Sequence, residues 1–213
     1  MVKKTVLIGG GGHARSVMDI ALGLSEFEIC GIIDTNKAEV LGISVIGTDE
    51  DLAAIFDSGI RHAFVALGNN SMRHQLYGKL KTIGYELVNI ISEYACISGR
   101  AQLGEGICVM PGAVINVNTV IGDNCIINTN CCIDHDCKIG ESCHIAPGVS
   151  MSGTVRVGDG THIGTGAAVI DGVSIGKWSY IGAGAAVVKD IPDYVMAYGV
   201  PAKMVRTIKG ERL

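Results

Sequence analysis

Aromatic residues are scarce in this chain. Phe, Trp and Tyr make up 5% of its 213 residues, and there are only 4 prolines. That composition excludes a core built around large rings and favours many tight turns made by small residues. Basic charge is not in excess either, with 17 Lys+Arg against 21 Asp+Glu and a net charge of -4. A footprint for nucleic acid is therefore absent. No stretch approaches the roughly 20 apolar residues of a membrane span. The opening "MVKKTVLIGGGGHARS" carries two lysines and an apolar run, but four glycines and His-Ala-Arg cut the run short of a secretory signal. The expectation is a cytoplasmic protein with no membrane partner. What is abundant is glycine, at 30 residues. The length suffices for one large domain or two small ones with a real core.

Eight cysteines in that compartment do not imply a disulfide framework. Four of them, with two of the six histidines, fall in "CCIDHDCKIGESCH" at 131–144. The spacing invites zinc, or a thiol nucleophile. The choice depends on the structure that carries the stretch.

Residues 1–90 alternate strand and helix signals. "TVLIGG", "EICGIID" and "RHAFVALGNN" read as strands, with "YELVNIIS" following as a fourth. "GGHARSVMDIALGL", "DEDLAAIF" and "SMRHQLYGKLKTIG" read as the helices between them. This βαβ series predicts a small parallel sheet of the Rossmann-like α/β kind.

From Ile91 the rhythm changes. Every sixth residue, from Ile91 through Ile133 and Ile145 to Val187, is large and aliphatic, seventeen in succession. With roughly half of residues apolar on average, chance gives such a run about once in 10⁵. The pattern is a hexapeptide repeat, the mark of a parallel β-helix over residues 91–213. Gly104, Gly122, Gly140, Gly158 and Gly176 recur at eighteen residues, so three hexads make one coil. These glycines are expected at a corner that needs φ > 0.

The aliphatic residue can be numbered position one of its hexad. Cys125, Cys131, Cys137 and Cys143 then share position five with alanines, valines and threonines of other coils. Free cysteine behaves as a small hydrophobe. The four are thus expected to face inward as packing residues, spread along a filled core rather than converging on a metal. Cys132, at position six, could face outward and is the one candidate thiol nucleophile. His135 sits at position three between Asp134 and Asp136, while His144 and His162 share position six one coil apart, at roughly 5 Å. A surface histidine is ordinarily just solvated. A carboxylate accepting from one ring nitrogen would instead raise the basicity and leave the other nitrogen free as a general base.

The hexads, "NTNCCIDHDCKIGESCHIAPG" (128–148), "AYGVPAKMV" (197–205), "IGGGGHA", "IID" and "ALGNN" (66–70) together resemble the NeuD/PglD family of bacterial hexapeptide-repeat sugar acetyltransferases. The resemblance covers the whole chain. It implies a left-handed β-helix, an exception to the usual right-handed crossover. It also implies acetyl-CoA as co-substrate, no metal, and a homotrimer with active sites between subunits. Through the match, His135 takes the role of general base and Asp136 that of its acidic support. His144 matches the residue at the acetyl thioester, Gly153, Thr165 and Ala183 lie where the pantetheine arm runs, and Asn128 is a polar residue near the site. Gly11, Gly12, His13, Asp34, Thr35 and Gly68 match contacts to a nucleotide-sugar. The physical sense is plain: a glycine-rich turn into a helix N-terminus lets backbone N–H groups approach phosphates.

Two other readings remain open on the residues. Gly9, Gly11, Ala14 and Asp34 make a passable dinucleotide fingerprint, although a full dinucleotide fold needs two mononucleotide-binding halves. A non-enzymatic β-helix scaffold would also satisfy the repeat. Within acetyl transfer, the amino group of a nucleotide-linked 4-amino sugar is favoured over a sialic acid hydroxyl.

Overall fold

The computed structural model describes residues 2–208, so Met1 and residues 209–213 of the two expected segments lie outside the described residues. The N-terminal half runs β1 (Lys3–Ile8), α1 (Gly12–Gly23), β2 (Phe27–Ile33), β3 (Glu39–Val40), β4 (Ile43–Gly47), α2 (Leu52–Asp57), β5 (His62–Val65), α3 (Asn70–Ile83) and β6 (Glu86–Leu87). The strands form one sheet in the order β3-β4-β2-β1-β5-β6. All its pairs are parallel except β3 with β4.

The β3–β4 hairpin was not foreseen. Leu41, at φ 49°, and Gly42, at φ 78°, turn it in two residues, and a left-handed leucine is not a turn signal that sequence rules anticipate. The segment "YELVNIIS" also divides. Its β6 closes the first sheet, whereas β7 (Ile90–Ile91) pairs with Cys108–Val109 and opens the second structure.

From β7 to β23 (Ala186–Val187) there are seventeen two-residue strands, each ending on one of the periodic aliphatic residues. Partners are in parallel register eighteen residues apart, as in Cys108 with Ile126, Cys132 with Ser150 and Lys138 with Arg156. Three stacked sheets result, the faces of a left-handed triangular prism. The first face carries Ile90–Ile91, Ile126–Ile127, His144–Ile145, His162–Ile163 and Tyr180–Ile181. The second carries Cys132–Ile133, Ser150–Met151 and Ala168–Val169. The third carries Lys138–Ile139, Arg156–Val157 and Ser174–Ile175. β24 (Val195–Tyr198) and β25 (Lys203–Thr207) extend the first face, the last pair antiparallel.

The interior explains the cysteines. Cys125, Cys131, Cys137 and Cys143 are at most 1% exposed. The thiols of Cys125, Cys137 and Cys143 point at the carbonyls of Gly140, Ser152 and Gly158 at 3.0, 3.2 and 3.2 Å. Thr119 and Thr161, at the same hexad position, donate to Asp134 O and Gly176 O at 2.7 and 2.6 Å. Position five therefore takes a side chain that fits the core, and where that side chain has a donor it can reach an inward-facing carbonyl fifteen residues on. Cysteine does both, with a weak S–H donor.

The stacked glycines have a different reason from the one expected. Gly104, Gly122, Gly140, Gly158 and Gly176 are not among the residues with positive φ. A Cβ at Gly158 would lie 2.5 Å from Lys177 N, and one at Gly176 2.3 Å from Asp193 N. Close approach of the next coil, not handedness, demands glycine here. The left-handed residues sit two positions later, at every sixth residue from Gly106 to Gly184. They include Asn118, Asn124, Asn130, Asp136 and Trp178, with φ between 50° and 59°.

The two halves are joined by two helices. α1 turns Ala14, Val17, Met18 and Ala21, an i, i+3, i+4, i+7 stripe, into a cluster with Ile90, Cys108 and Met110 of the first face. α3 lies along a corner of the prism, one helical turn to one coil. Tyr77 Oη donates to Asp123 Oδ2 at 3.0 Å, Arg73 Nη2 to Ser142 O at 2.8 Å, and Asn70 Nδ2 to Gly160 O at 3.0 Å. A helical pitch of about 5.4 Å against a strand spacing of about 4.8 Å makes that match possible. Arg73, 1% exposed, is the joint: its guanidinium donates to the carbonyls of Asn124, Leu67, Gly68, Ser142 and Cys143 and to Asn70 Oδ1. Burial lowers its pKa to about 10, which still leaves it charged at neutral pH.

Candidate active site

The candidate side chains fall in two groups on different sides of the prism. The first is built on the turn from the second face to the third. His135 Nδ1 lies 2.9 Å from Asp136 Oδ2, and the His135 side chain is 50% exposed. Asp136 is left-handed, at φ 57°, which swings its carboxylate back beside the ring of its neighbour. Asp134 Oδ1 accepts from the His135 backbone N–H at 2.8 Å and so caps the turn. The Asp136 hydrogen bond holds the His135 pKa above its ordinary value; desolvation opposes it, and the charges of Asp134 and then Asp136 add to it. Asp136 is correspondingly depressed, chiefly by its bond to His135 and next by one from Asn118. The pairing puts the ring proton on Nδ1 and leaves Nε2 as the free lone pair.

Gly153 stands directly above. A Cβ there would meet the His135 ring at 2.5 Å, so the ring uses the space that glycine leaves. The Gly153 N–H makes no hydrogen bond among the described residues.

The second group lies on the first face and its corner with the second, under the N-terminal half. His144 packs edge-on against His162 with centroids 4.7 Å apart, near the spacing its sequence register predicts. His162 stacks on Tyr180 at 4.5 Å. His13, from the first turn of α1, faces His144 at 6.5 Å. Asn128 fixes the His144 tautomer. Its Oδ1 accepts from Thr129 N at 2.8 Å, so its Nδ2 faces His144 Nε2 at 3.0 Å as a donor. The proton of neutral His144 is therefore on Nδ1, which is buried without a partner, as is His13 Nε2. The Gly68 carbonyl nearby favours the protonated ring but is not aligned for a bond. Burial drives the His144 pKa to about 2, helped by His162, Arg73 and His13. Burial and then the Arg73 charge lower His13 and His162 to about 4 each.

Thr165 and Ala183 are exposed at that corner, one coil apart, joined by Gly184 N to Thr165 O at 2.9 Å. Gly11 caps α1 without any side-chain bond, so the exposed Gly11 and Gly12 leave a bare helix N-terminus. Asp34 braces that loop: its carboxylate accepts from Gly10 N and from Asn36 N, each at 2.8 Å. Those contacts give Asp34 a part in shaping the loop beside its expected contact to a nucleotide-sugar. Thr35 Oγ1 accepts from Asn36 Nδ2 at 3.0 Å, and Gly68 is exposed at the end of β5. Cys132 is half-buried, and burial with the Asp134 charge raises its pKa, the opposite of an activated thiol. No group of three or more His, Cys, Asp or Glu among the described residues could hold a metal ion, and no described helix is long and apolar enough to cross a membrane.

Comparisons with known proteins cover nearly the whole chain. Residues 4–80 match the PglD N-terminal domain, and residues 118–153 match the bacterial transferase hexapeptide (six repeats). A histidine-to-asparagine variant of perosamine N-acetyltransferase from Caulobacter crescentus, solved with CoA and GDP-perosamine, is 42% identical. The match covers 97% of this chain and 98% of that one, with a TM-score of 0.92. The chain belongs to the NeuD/PglD family of hexapeptide-repeat sugar acetyltransferases. The acetyltransferase domain of PglB from Neisseria gonorrhoeae, in complex with acetyl coenzyme A, is 35% identical over 96% of this chain and 100% of that one, at TM-score 0.89. WeeI from Acinetobacter baumannii is 26% identical over 96% and 100%, at 0.84. An uncharacterized protein of Acanthamoeba polyphaga mimivirus is 35% identical over 103 residues, of which the matched part is 47% of this chain and a fifth (20%) of that protein.

Family membership makes the chain an enzyme of the acyltransferase class. It also explains why the N-terminal half is present at all, which a scaffold would not. Sequence reasoning missed three residues that hold the site: Asn118, Arg73 and Asn116. Asn116 Nδ2 donates to Asp134 Oδ1 at 2.8 Å, eighteen residues on. An offset of one coil was the available signal.

Proposed function

We propose that this enzyme transfers the acetyl group of acetyl-CoA to the amino group of a nucleotide-linked amino sugar, with a GDP- or UDP-linked 4-amino sugar as the substrate class. The observation that carries the reading is the match over 97% of this chain to an enzyme held with CoA and GDP-perosamine, in a chain whose exposed His135 is paired with Asp136.

Acetyl-CoA supplies an activated thioester. His135 Nε2 accepts the proton of the attacking amine as the C–N bond forms and returns it to the sulfur as the C–S bond breaks. Asp136 stabilises the imidazolium in between and keeps the ring oriented. The Gly153 N–H, which makes no hydrogen bond among the described residues, is the donor we assign to the oxyanion. Thr165 and Ala183 offer a small-residue corner on which a pantetheine arm can lie, and His144 offers Nδ1–H as a fixed, neutral donor. Gly11, Gly12 and His13, with Thr35 and Gly68, form the nucleotide-sugar end, where a bare helix N-terminus suits phosphates. No covalent acyl-enzyme is needed, in keeping with a Cys132 thiol whose pKa burial raises.

His135 and His144 lie on different sides of one prism. We therefore infer a homotrimer in which a neighbouring subunit completes each site. A cytoplasmic location accords with eight cysteines that are all free.

His135→Ala is expected to lower kcat by roughly 10²–10⁴ with the fold intact. Steady-state assays with acetyl-CoA and a panel of GDP- and UDP-4-amino sugars, sialic acid and CMP-sialic acid measure this. A loss below threefold sinks the general-base role, and acetylation confined to sialic acid hydroxyls in the same panel overturns the substrate class.

A further inference from the structure

We propose that Asn118 is a positioning residue for the acetyl transfer, acting on His135 through Asp136. The proposal rests on the reading of His135 as general base.

Asp136 uses both carboxylate oxygens. Oδ2 meets His135 Nδ1 at 2.9 Å, and Oδ1 accepts from Asn118 Nδ2 at 3.1 Å. Asn118 is eighteen residues earlier, at the same hexad position, and equally left-handed, at φ 59° against 57°. Two side chains leaving one corner in parallel, one strand spacing apart, meet end to end. The coil below also supplies Asn116 to Asp134, so the "NVN" of 116–118 lies under the "DHD" of 134–136, amide to carboxylate at both flanks.

An exposed aspartate beside an exposed histidine would otherwise sample several rotamers, since nothing buries either one. The amide removes that freedom. The charged groups around the ring are Asp134 and Asp136 of its own coil. The coil below presents only the neutral amides of Asn116 and Asn118, and the coil above presents Gly153 and Thr154. An aspartate in place of Asn118 would set two carboxylates against each other, with no donor between them.

Two substitutions at the exposed Asn118 test the idea without threatening the fold, because glycine and aspartate both tolerate the left-handed turn. Asn118→Gly removes the amide, loosens Asp136 and weakens its hold on the ring proton. The acidic limb of the kcat/KM–pH profile should then move to lower pH, while kcat falls about threefold to tenfold, less than the roughly 10² or more expected of the base itself. Asn118→Asp adds a negative charge beside the pair. The limb should move to higher pH, with kcat again reduced. KM for both substrates should stay within about twofold, because neither variant touches the substrate-binding residues. Titration of His135 by NMR in both variants should follow the same opposite shifts.

A merely structural role would lower the melting temperature of both variants and leave the limb where the wild type has it, and that result overturns the proposal. His135→Gln in the same assay separates the two levels. If it keeps wild-type kcat, the general-base reading falls and takes the proposal with it. If it is inactive while the Asn118 variants keep the wild-type limb, the proposal alone falls.

Discussion

At the scale of single residues, position in the coil decides more than residue type. Asp136 supports His135 because a left-handed turn bends it back, and the same turn places Asn118 and Thr154 where they do no acid–base work. Gly153 is the sharpest instance. It is buried because the His135 ring covers it, with no room for a methyl group at 2.5 Å from Cε1. In Gly153→Ala the half-exposed ring must yield rather than the stacked backbone. The ring then leaves the 2.9 Å contact with Asp136 Oδ2. We expect kcat to fall by about tenfold or more as the base loses its orientation, and unfolding stability to fall by no more than about 1.5 kcal/mol, because the strain is relieved at the surface. Parallel measurement of kcat and of urea unfolding checks both numbers. A variant within threefold of wild-type kcat would show that the ring does not need this seat.

At the scale of elements, the first face of the prism and α1 enclose a column of neutral rings: His13, His144, His162 and Tyr180. The three histidines have folded pKa values near 4, 2 and 4, below an ordinary 6.5. The sign of the linkage follows. Above pH 6.5 the rings are neutral in both states and nothing is lost. As pH falls below 6.5 the unfolded chain takes up protons that the folded chain refuses, and stability drops until the folded pKa values are reached. Each ring contributes a slope of roughly 1.4 kcal/mol per pH unit. Melting temperature should therefore fall steeply between pH 6.5 and 4, and His162→Phe, which keeps the stack on Tyr180, should flatten the slope by about one proton. An unchanged slope in that variant would mean that His162 is free to protonate in the folded state.

Much of this architecture was legible in the sequence, and the parts that were not have one cause. The seventeen aliphatic residues fix the strands, the coil length and the inward cysteines, because those follow from period alone. His135 between two aspartates was legible for the same reason, as neighbours in sequence are neighbours in the turn. The stacked glycines were visible as a pattern, but their cause was misread: contact with the next coil looks like any other need for glycine until the coils are stacked. Asn118 and Asn116 escaped notice because an amide in a turn has a sufficient local explanation. Arg73 gave no sign, since an isolated arginine in an amphipathic helix reads as solvated, and only the corner packing of α3 buries it. What one chain cannot display is the completed pocket. His135 lies at the corner of the second and third faces and His144 on the first face beneath α1, on different sides of one prism. In the trimer we infer, the neighbour supplies the second histidine. The consequence is complementation. His135→Ala and His144→Ala chains, each measured alone and each impaired, should regain activity when unfolded together and reassembled. In a trimer mixing the two variants around a ring, one interface of the three joins an intact His135 to an intact His144. Recovery should thus approach about a third of wild-type activity in fully mixed trimers, since each interface works independently. Mass spectrometry of the reassembled sample establishes the mixture. Mixed trimers that stay as inactive as their parents would place both histidines in the same chain's site.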